Sequence, residues 1–281
     1  MYSSMHTHHA STFRHIPAIS KPVSAERVAQ VLAEEWNLFT KNTKASEAES
    51  KRAFDSLPLG VTSSFQHWDP YPISIASAEG AWMTDVDGRK LLDLSMGFGA
   101  MLAGHLNPIV VEEIQTALRT GMLFVTPSPI STDAAERICK RFGIDQVRFT
   151  NSGTESTMYA VRVARSVTGK MGLLKVEGGY HGSYDPFVVS SKPSLDVIGD
   201  PENPTPAIDS NLVPGDIYVV PFNNLNALER MFETNSSKIA CFIVEPVLEN
   251  LAIVLPDAGY LEGVRALCDK YDVVLIFDEV K

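Results

Sequence analysis

Basic charge is scarce in this chain: 24 Lys and Arg stand against 34 Asp and Glu, a formal net charge of −10 over 281 residues. No surplus of cations is left to line a nucleic-acid backbone, so no nucleic-acid partner is expected. Long hydrophobic runs are missing too. Stretches such as residues 251–255 and 273–277 fall far short of the roughly 20 apolar residues that cross a bilayer, and no membrane segment is expected. Cysteine is rare, and Cys139, Cys241 and Cys268 are an odd set without CxxC spacing inside apolar segments. That argues against a disulfide framework and a zinc site, so no metal is expected, and a reducing compartment, the cytoplasm, fits best. Acidic residues are absent from the first 24 positions, which hold His6, His8, His9 and His15. This segment reads as a flexible tail. An acid-poor start with Ser and Thr can be an organelle transit peptide, but only Arg14 and Lys21 supply charge and no amphipathic face is evident. The histidines there have no surrounding groups to orient them, which favours solvated side chains over metal ligands.

What is there is a globular composition, 44% hydrophobic and 21% charged, with length for one large or two ordinary domains. Residues 23–40 carry apolar side chains at Val28, Val31, Leu32 and Trp36 behind Ser24, the pattern of a surface helix. After a polar stretch, residues 73–77 and 81–85 read as short strands, and Asp87-Gly88 as a hairpin turn into a third at 91–94. Residues 25–106 are therefore expected to form an N-terminal segment with a helix and a small antiparallel sheet. From about residue 107 helices alternate with short β-branched runs, as in a parallel α/β sheet with crossover helices. The expected helices are 109–119, 131–142, 155–167, 225–232 and 260–271, and the expected strands 146–150, 172–176, 216–220, 239–245 and 273–278. Residues 193–214, with five prolines, read as an exposed loop.

Four motifs carry chemistry, each at the end of an expected strand. Asn151-Ser152-Gly153-Thr154-Glu155 is a small-residue turn opening a helix. It would offer unpaired N–H groups and hydroxyls to a phosphate, although an ordinary Ser/Thr helix cap explains the same residues as well. Gly178-Gly179-Tyr180-His181-Gly182 places an aromatic on a flexible turn, a stacking surface for a planar ligand or a Tyr folded back on the core. Glu245 and Asp278 end apolar strands, where ligand crevices open in parallel sheets. A carboxylate there needs a cation or donor, and for Asp278 a protonated ring nitrogen is the natural partner; a cap of the next helix is the simpler alternative. Turn, aromatic, Glu and Asp together describe a pyridoxal 5′-phosphate pocket.

These segments, with Glu245-Pro246-Val247 followed by Asn250, and Phe277-Asp278-Glu279-Val280, resemble class III aminotransferases of fold type I from about Gly80 onward. The resemblance is closest to the glutamate-1-semialdehyde 2,1-aminomutase branch, through Asp85-Val86-Asp87-Gly88, Gly104-His105 and Tyr260-Leu261-Glu262-Gly263. It implies a three-layer α/β fold with a mainly parallel sheet, incomplete here, spanning residues 107–281 behind a partial small N-terminal domain. It also implies a small amino-acid-type substrate and a homodimer. By matching position, Ser152, Gly153 and Thr154 would hold the cofactor phosphate, Tyr180 would stack on the ring, and Asp278 would pair with its nitrogen. Glu245 and Asn250 would lie near the ring and its hydroxyl, with His181 behind them. The lysine that forms the family's Schiff base lies beyond the Asp-Glu-Val motif, and the chain is expected to be the front part of a longer protein that ends before it. Lys281 follows Asp278 by three residues, toward the ring-nitrogen end, and Lys175 is embedded in a strand; neither is expected to be the Schiff-base residue. No catalytic residue is therefore assigned, and the alternative to an amino-group-transferring enzyme is a non-catalytic fragment that binds cofactor or a partner chain. Gly97-Phe98-Gly99 lacks the third glycine of a dinucleotide turn, with Leu102 in its place. Arg162 and Arg165 suit a solvated face, and Gly104-His105 a turn-stabilising pair.

Overall fold

Strands that alternate side chains between two apolar faces must be covered on both, and the heart of this protein is built that way. The computed structural model describes residues 23–194, 196–207 and 216–281. The expected tail at residues 1–24 lies almost entirely outside them, as does part of the loop at 193–214. Contacts group the chain into two units, Met1–Thr120 and Gly121–Lys281.

In the first unit, helix α1 (Ala25–Asn42) is capped by Ser24, whose hydroxyl accepts from the Arg27 N–H at 3.2 Å. Helix α2 (Lys44–Ala53) follows. The sequence had given no sign of it, since it is polar all round. Strands β1 (Ile75–Glu79), β2 (Trp82–Asp85) and β3 (Lys90–Leu92) form the expected antiparallel sheet in that order. Gly88, at φ 83°, makes the hairpin turn. The acids of this turn act locally and at long range. Asp85 accepts from the N–H groups of Asp87 and Arg89, while Asp87 accepts from those of Ala45 and Ser46 at the start of α2. His105 pairs with Asp93 at 2.8 Å, in keeping with a turn-stabilising role. Helix α3 (Pro108–Leu118), begun by Asn107, closes the unit.

In the second unit, helices α4 (Pro129–Phe142) and α5 (Gly153–Thr168) precede strand β4 (Gly172–Val176). A single turn α6 (Asp185–Val188), a minimal β5–β6 pair (Gly199–Asp200, Asn203–Pro204) and strand β7 (Ile217–Val220) come next. Helix α7 (Leu225–Asn235), strand β8 (Ile239–Val244), helix α8 (Tyr260–Lys270) and strand β9 (Val274–Phe277) complete it. The main sheet is wholly parallel in the order β7-β4-β8-β9.

Its two faces carry two apolar clusters. Leu174, Val176, Phe242 and Val244 pack with Phe232 of α7 and Val264 and Cys268 of α8. Leu173, Cys241 and Ile243, one residue out of phase, pack with Val161 and Ala164 of α5. Helix, sheet, helix gives the three layers. The expected strand at 146–150 does not form: Phe149 is 51% exposed, and no neighbouring strand among the described residues pairs with the segment. An extended segment whose backbone groups find no ladder stays irregular. Among the described residues no helix is long and apolar enough to cross a membrane.

Candidate functional site

The carboxyl ends of β4, β8 and β9 and the amino end of α5 surround one cavity of about 530 Å³, well within the range of small-molecule sites. Its lining includes Ser152, Gly153, Thr154, Tyr180, His181, Glu245 and Asp278, together with Glu279, Val280 and Lys281. Seven of the eight residues singled out in the sequence thus converge.

At the α5 end, the Ser152 hydroxyl accepts from the Glu155 N–H at 3.1 Å, and the Glu155 carboxylate accepts in turn from the Asn151 N–H at 2.8 Å. Ser152 thus caps the helix and also lines the cavity. The Thr154 hydroxyl accepts from the Ser183 N–H at 3.2 Å. Each of these oxygens is used as an acceptor, which leaves its own proton as the group it can offer to an anion. The first N–H groups of a helix have no intrahelical partner, and the helix dipole adds positive potential there. Gly153 packs closely: a Cβ there would lie 3.0 Å from a methyl of Val280.

The Tyr-His turn is tied to α5 from behind. Thr157, one turn into the helix, donates to the His181 carbonyl at 2.8 Å. Gly182 sits at φ 103°, and a Cβ on it would stand 2.8 Å from the Thr154 Cα. Tyr180 follows a peptide held at both ends, since Lys175 Nζ donates to the Gly179 carbonyl at 2.8 Å and the Tyr180 N–H donates to Glu245 Oε1 at 2.9 Å.

Glu245 is buried, and its second oxygen accepts from the Glu249 N–H at 3.1 Å. It lines the cavity, but its carboxylate is engaged in holding two loops. Asn250 is not among the lining residues. Its Nδ2 donates to the carbonyls of Gly178 at 2.9 Å and Ser191 at 3.2 Å, behind the turn.

His181 is buried, with Nδ1 2.9 Å from Asp278 Oδ2. Burial pushes its imidazole below the usual range, with the Asp278 hydrogen bond opposing. A carboxylate only accepts, so the neutral ring carries its proton on Nδ1. His181 Nε2 is buried without a partner among the described residues. Asp278 Oδ1 accepts from the Val280 N–H at 3.2 Å. Arg165 donates to the Met171 carbonyl and Arg162 lies over the Tyr159 ring; neither lines the cavity.

Sequence reading missed the work of Thr157, Glu249 and Lys175. For Thr157 a signal was present, because it stands four residues after Gly153 on the same helix face.

The arrangement fits pyridoxal 5′-phosphate. The helix start with its hydroxyls has the donors a doubly charged anion needs, and Asp278, hydrogen-bonded to His181, has the charge that a protonated ring nitrogen would pair with. The sequence pattern of the aminotransferase class-III family matches residues 64–281. Glutamate-1-semialdehyde 2,1-aminomutase from Methanothrix thermoacetophila is 38% identical over 246 residues, 86% of this chain and 55% of that protein. An omega-transaminase structure from Sphaerobacter thermophilus aligns with a TM-score of 0.81 at 33% identity, over 84% of this chain and 55% of that one. A glutamate-1-semialdehyde aminomutase variant from Pseudomonas aeruginosa PAO1, in complex with PMP, aligns with a TM-score of 0.80 at 25% identity, over 91% and 56%. The chain spans about half the length of the curated relatives it matches. Sheet order, the motifs at strand ends and these likenesses agree, and the chain belongs to the class III aminotransferase family of fold type I.

Proposed function

We propose that this chain is the cofactor-holding part of a pyridoxal-phosphate enzyme that moves an amino group on a small amino acid, amino-aldehyde or keto acid, as a glutamate-1-semialdehyde 2,1-aminomutase does. The observation that carries this reading is the convergence of Ser152, Thr154, Tyr180 and Asp278 on one cavity at the carboxyl edge of the sheet. When bound, pyridoxal phosphate supplies the electron sink for cleaving a bond to the substrate's amino-bearing carbon. Ser152, Thr154 and the first N–H groups of α5 would hold the phosphate. Tyr180 would lie against the ring. Asp278 would place a negative charge near the ring nitrogen and favour its protonated form. The neutral His181, donating from Nδ1, fixes the direction of that carboxylate. Gly182 and Gly153 let the turn and the last strand's loop close on α5 without side chains in the way.

Covalent catalysis in this family's manner needs an amine at the cofactor aldehyde. Lys175 is fully buried, and its Nζ faces the carbonyls of Gly179, Phe187 and Val189. That enclosure takes Lys175 out of reach of a cofactor, while Lys281 lines the cavity; a second reading for these 281 residues is a chain that binds cofactor without turnover. Borohydride treatment of this chain with pyridoxal phosphate, followed by mass mapping, tests it. The expected outcome is no stoichiometric label on Lys175 or Lys281 and no amino-group transfer. Stoichiometric labelling of either, together with turnover, would show that this chain carries its own catalytic amine.

The proposal includes a homodimer for the whole protein. In support, Met122, Leu123 and Val125 are 83%, 90% and 105% exposed, a run of apolar surface that suits burial against another chain. Light scattering on the whole protein is expected to give a dimer, and a monomer that still turns over would contradict this part.

A further inference from the structure

Lys175 is a charge in the wrong place for a strand core. It lies on β4 on the face that Leu173 shares with α5, and its relative exposure is 0%. Burying an ammonium costs several kcal/mol unless donors and charges compensate it. Here the compensation is specific. Nζ donates to the carbonyls of Gly179 at 2.8 Å, Phe187 at 3.1 Å and Val189 at 2.6 Å. An ammonium has three protons for three acceptors; a neutral amine has two.

Those acceptors lie in two different places. Phe187 and Val189 belong to the end of α6 and the segment after it, whereas Gly179 belongs to the turn that presents Tyr180 to the cavity. The Gly179 carbonyl and the Tyr180 N–H are the two ends of one peptide group. Lys175 holds the first and Glu245 the second, at 2.9 Å. A planar trans peptide held at both poles is restrained against rotation. The next dihedral outward is that of Tyr180 itself, which lines the cavity.

We propose that Lys175 is a positioning residue: with Glu245 it clamps the Gly179–Tyr180 peptide from opposite sides and thereby sets the plane in which Tyr180 meets a ligand. The clamp explains why a strand otherwise filled with Leu and Val carries a lysine. Burial pushes the Lys175 ammonium down to about 7, while Glu245 and Glu177 oppose that shift. Three carbonyl acceptors also favour the charged form. His181 is the remaining titratable neighbour, and it is held neutral by its own burial. The inference rests on the cofactor reading only for the ligand; the clamp itself stands on the hydrogen bonds.

The test uses the whole protein with Lys175→Met and, as a milder change, Lys175→Gln. Amide hydrogen exchange is read at Gly178 and Tyr180 in the turn and at Phe242 and Ile243 in β8. Loss of a charged donor is expected to speed exchange in the turn by about tenfold or more, with β8 unchanged. Equal acceleration in turn and strand would mean that Lys175 serves the core alone and would overturn the inference. Added pyridoxal phosphate gives a second readout. Wild type should show induced circular dichroism in the cofactor's absorption band, and the Met variant a reduced signal with the phosphate contacts intact. Wild type without that signal would count against the cofactor reading, while the exchange data would still judge the clamp. If neither variant folds, nitrogen-15 NMR of wild-type lysine side chains at pH 6 decides: a slowly exchanging ammonium signal supports the clamp, and its absence overturns it.

Discussion

Alanine at Gly182 is expected to weaken pyridoxal phosphate binding by about a hundredfold. Two costs combine at this position. At φ 103° an L side chain is strained by about 1–3 kcal/mol. The new Cβ would also stand 2.8 Å from the Thr154 Cα and closer still to its hydroxyl, so the turn or the start of α5 must move. Overpacking of this kind costs about 1–3 kcal/mol. Movement of either partner shifts the hydroxyl of Thr154 relative to Tyr180, which in the proposed reading meet the phosphate and the ring of one small rigid molecule. A loss of about 3 kcal/mol in aligned binding corresponds to roughly two powers of ten. An absorbance titration checks this, and a Gly182→Ala protein that binds like wild type would remove the geometric basis of the site.

Asp278→Asn is expected to separate anchoring from chemistry. The amide keeps the size of the side chain and can still meet His181, but it carries no charge to hold a ring nitrogen protonated. Removing one pre-placed electrostatic group from a buried site costs on the order of a hundredfold or more in turnover. Phosphate anchoring at α5 is made by other residues and should change little. Steady-state turnover of the whole protein against cofactor titration makes the comparison; unchanged turnover would deny Asp278 its role.

Much of this was legible in the sequence because it is local. Strand-end acids, a Ser-x-x-Glu helix start and a Gly-rich turn after an apolar run each declare themselves within a few residues. The short apolar runs of β4 and β8 read directly as buried strands, whose successive residues divide between the two apolar clusters of the three-layer unit. What was not legible depends on partners distant in the chain. Helix α2, Lys-Ala-Ser-Glu-Ala-Glu-Ser-Lys-Arg-Ala, has no apolar period, and its start is secured by Asp87 some forty residues later. Residues 146–150 have the composition of a strand but no described strand to pair with. Asn250 Nδ2 donates to the carbonyls of Gly178 and Ser191, partners far back in the chain that no local pattern announces. Lys175 read as an embedded strand lysine, and only the loops folding back over β4 give it three acceptors.

The central claim is that the amino end of α5 holds the phosphate of a cofactor whose ring reaches Tyr180 and Asp278. Pyridoxal phosphate and pyridoxal share the ring and differ in the phosphate. Titrating the protein with each, in wild type and in a Ser152→Ala/Thr154→Ala double variant, therefore measures the claim directly. The account predicts that wild type binds pyridoxal phosphate far more tightly than pyridoxal and that the double variant loses most of this difference. Equal affinity for the two compounds in wild type, or a preference for pyridoxal phosphate that the double variant retains in full, would contradict it.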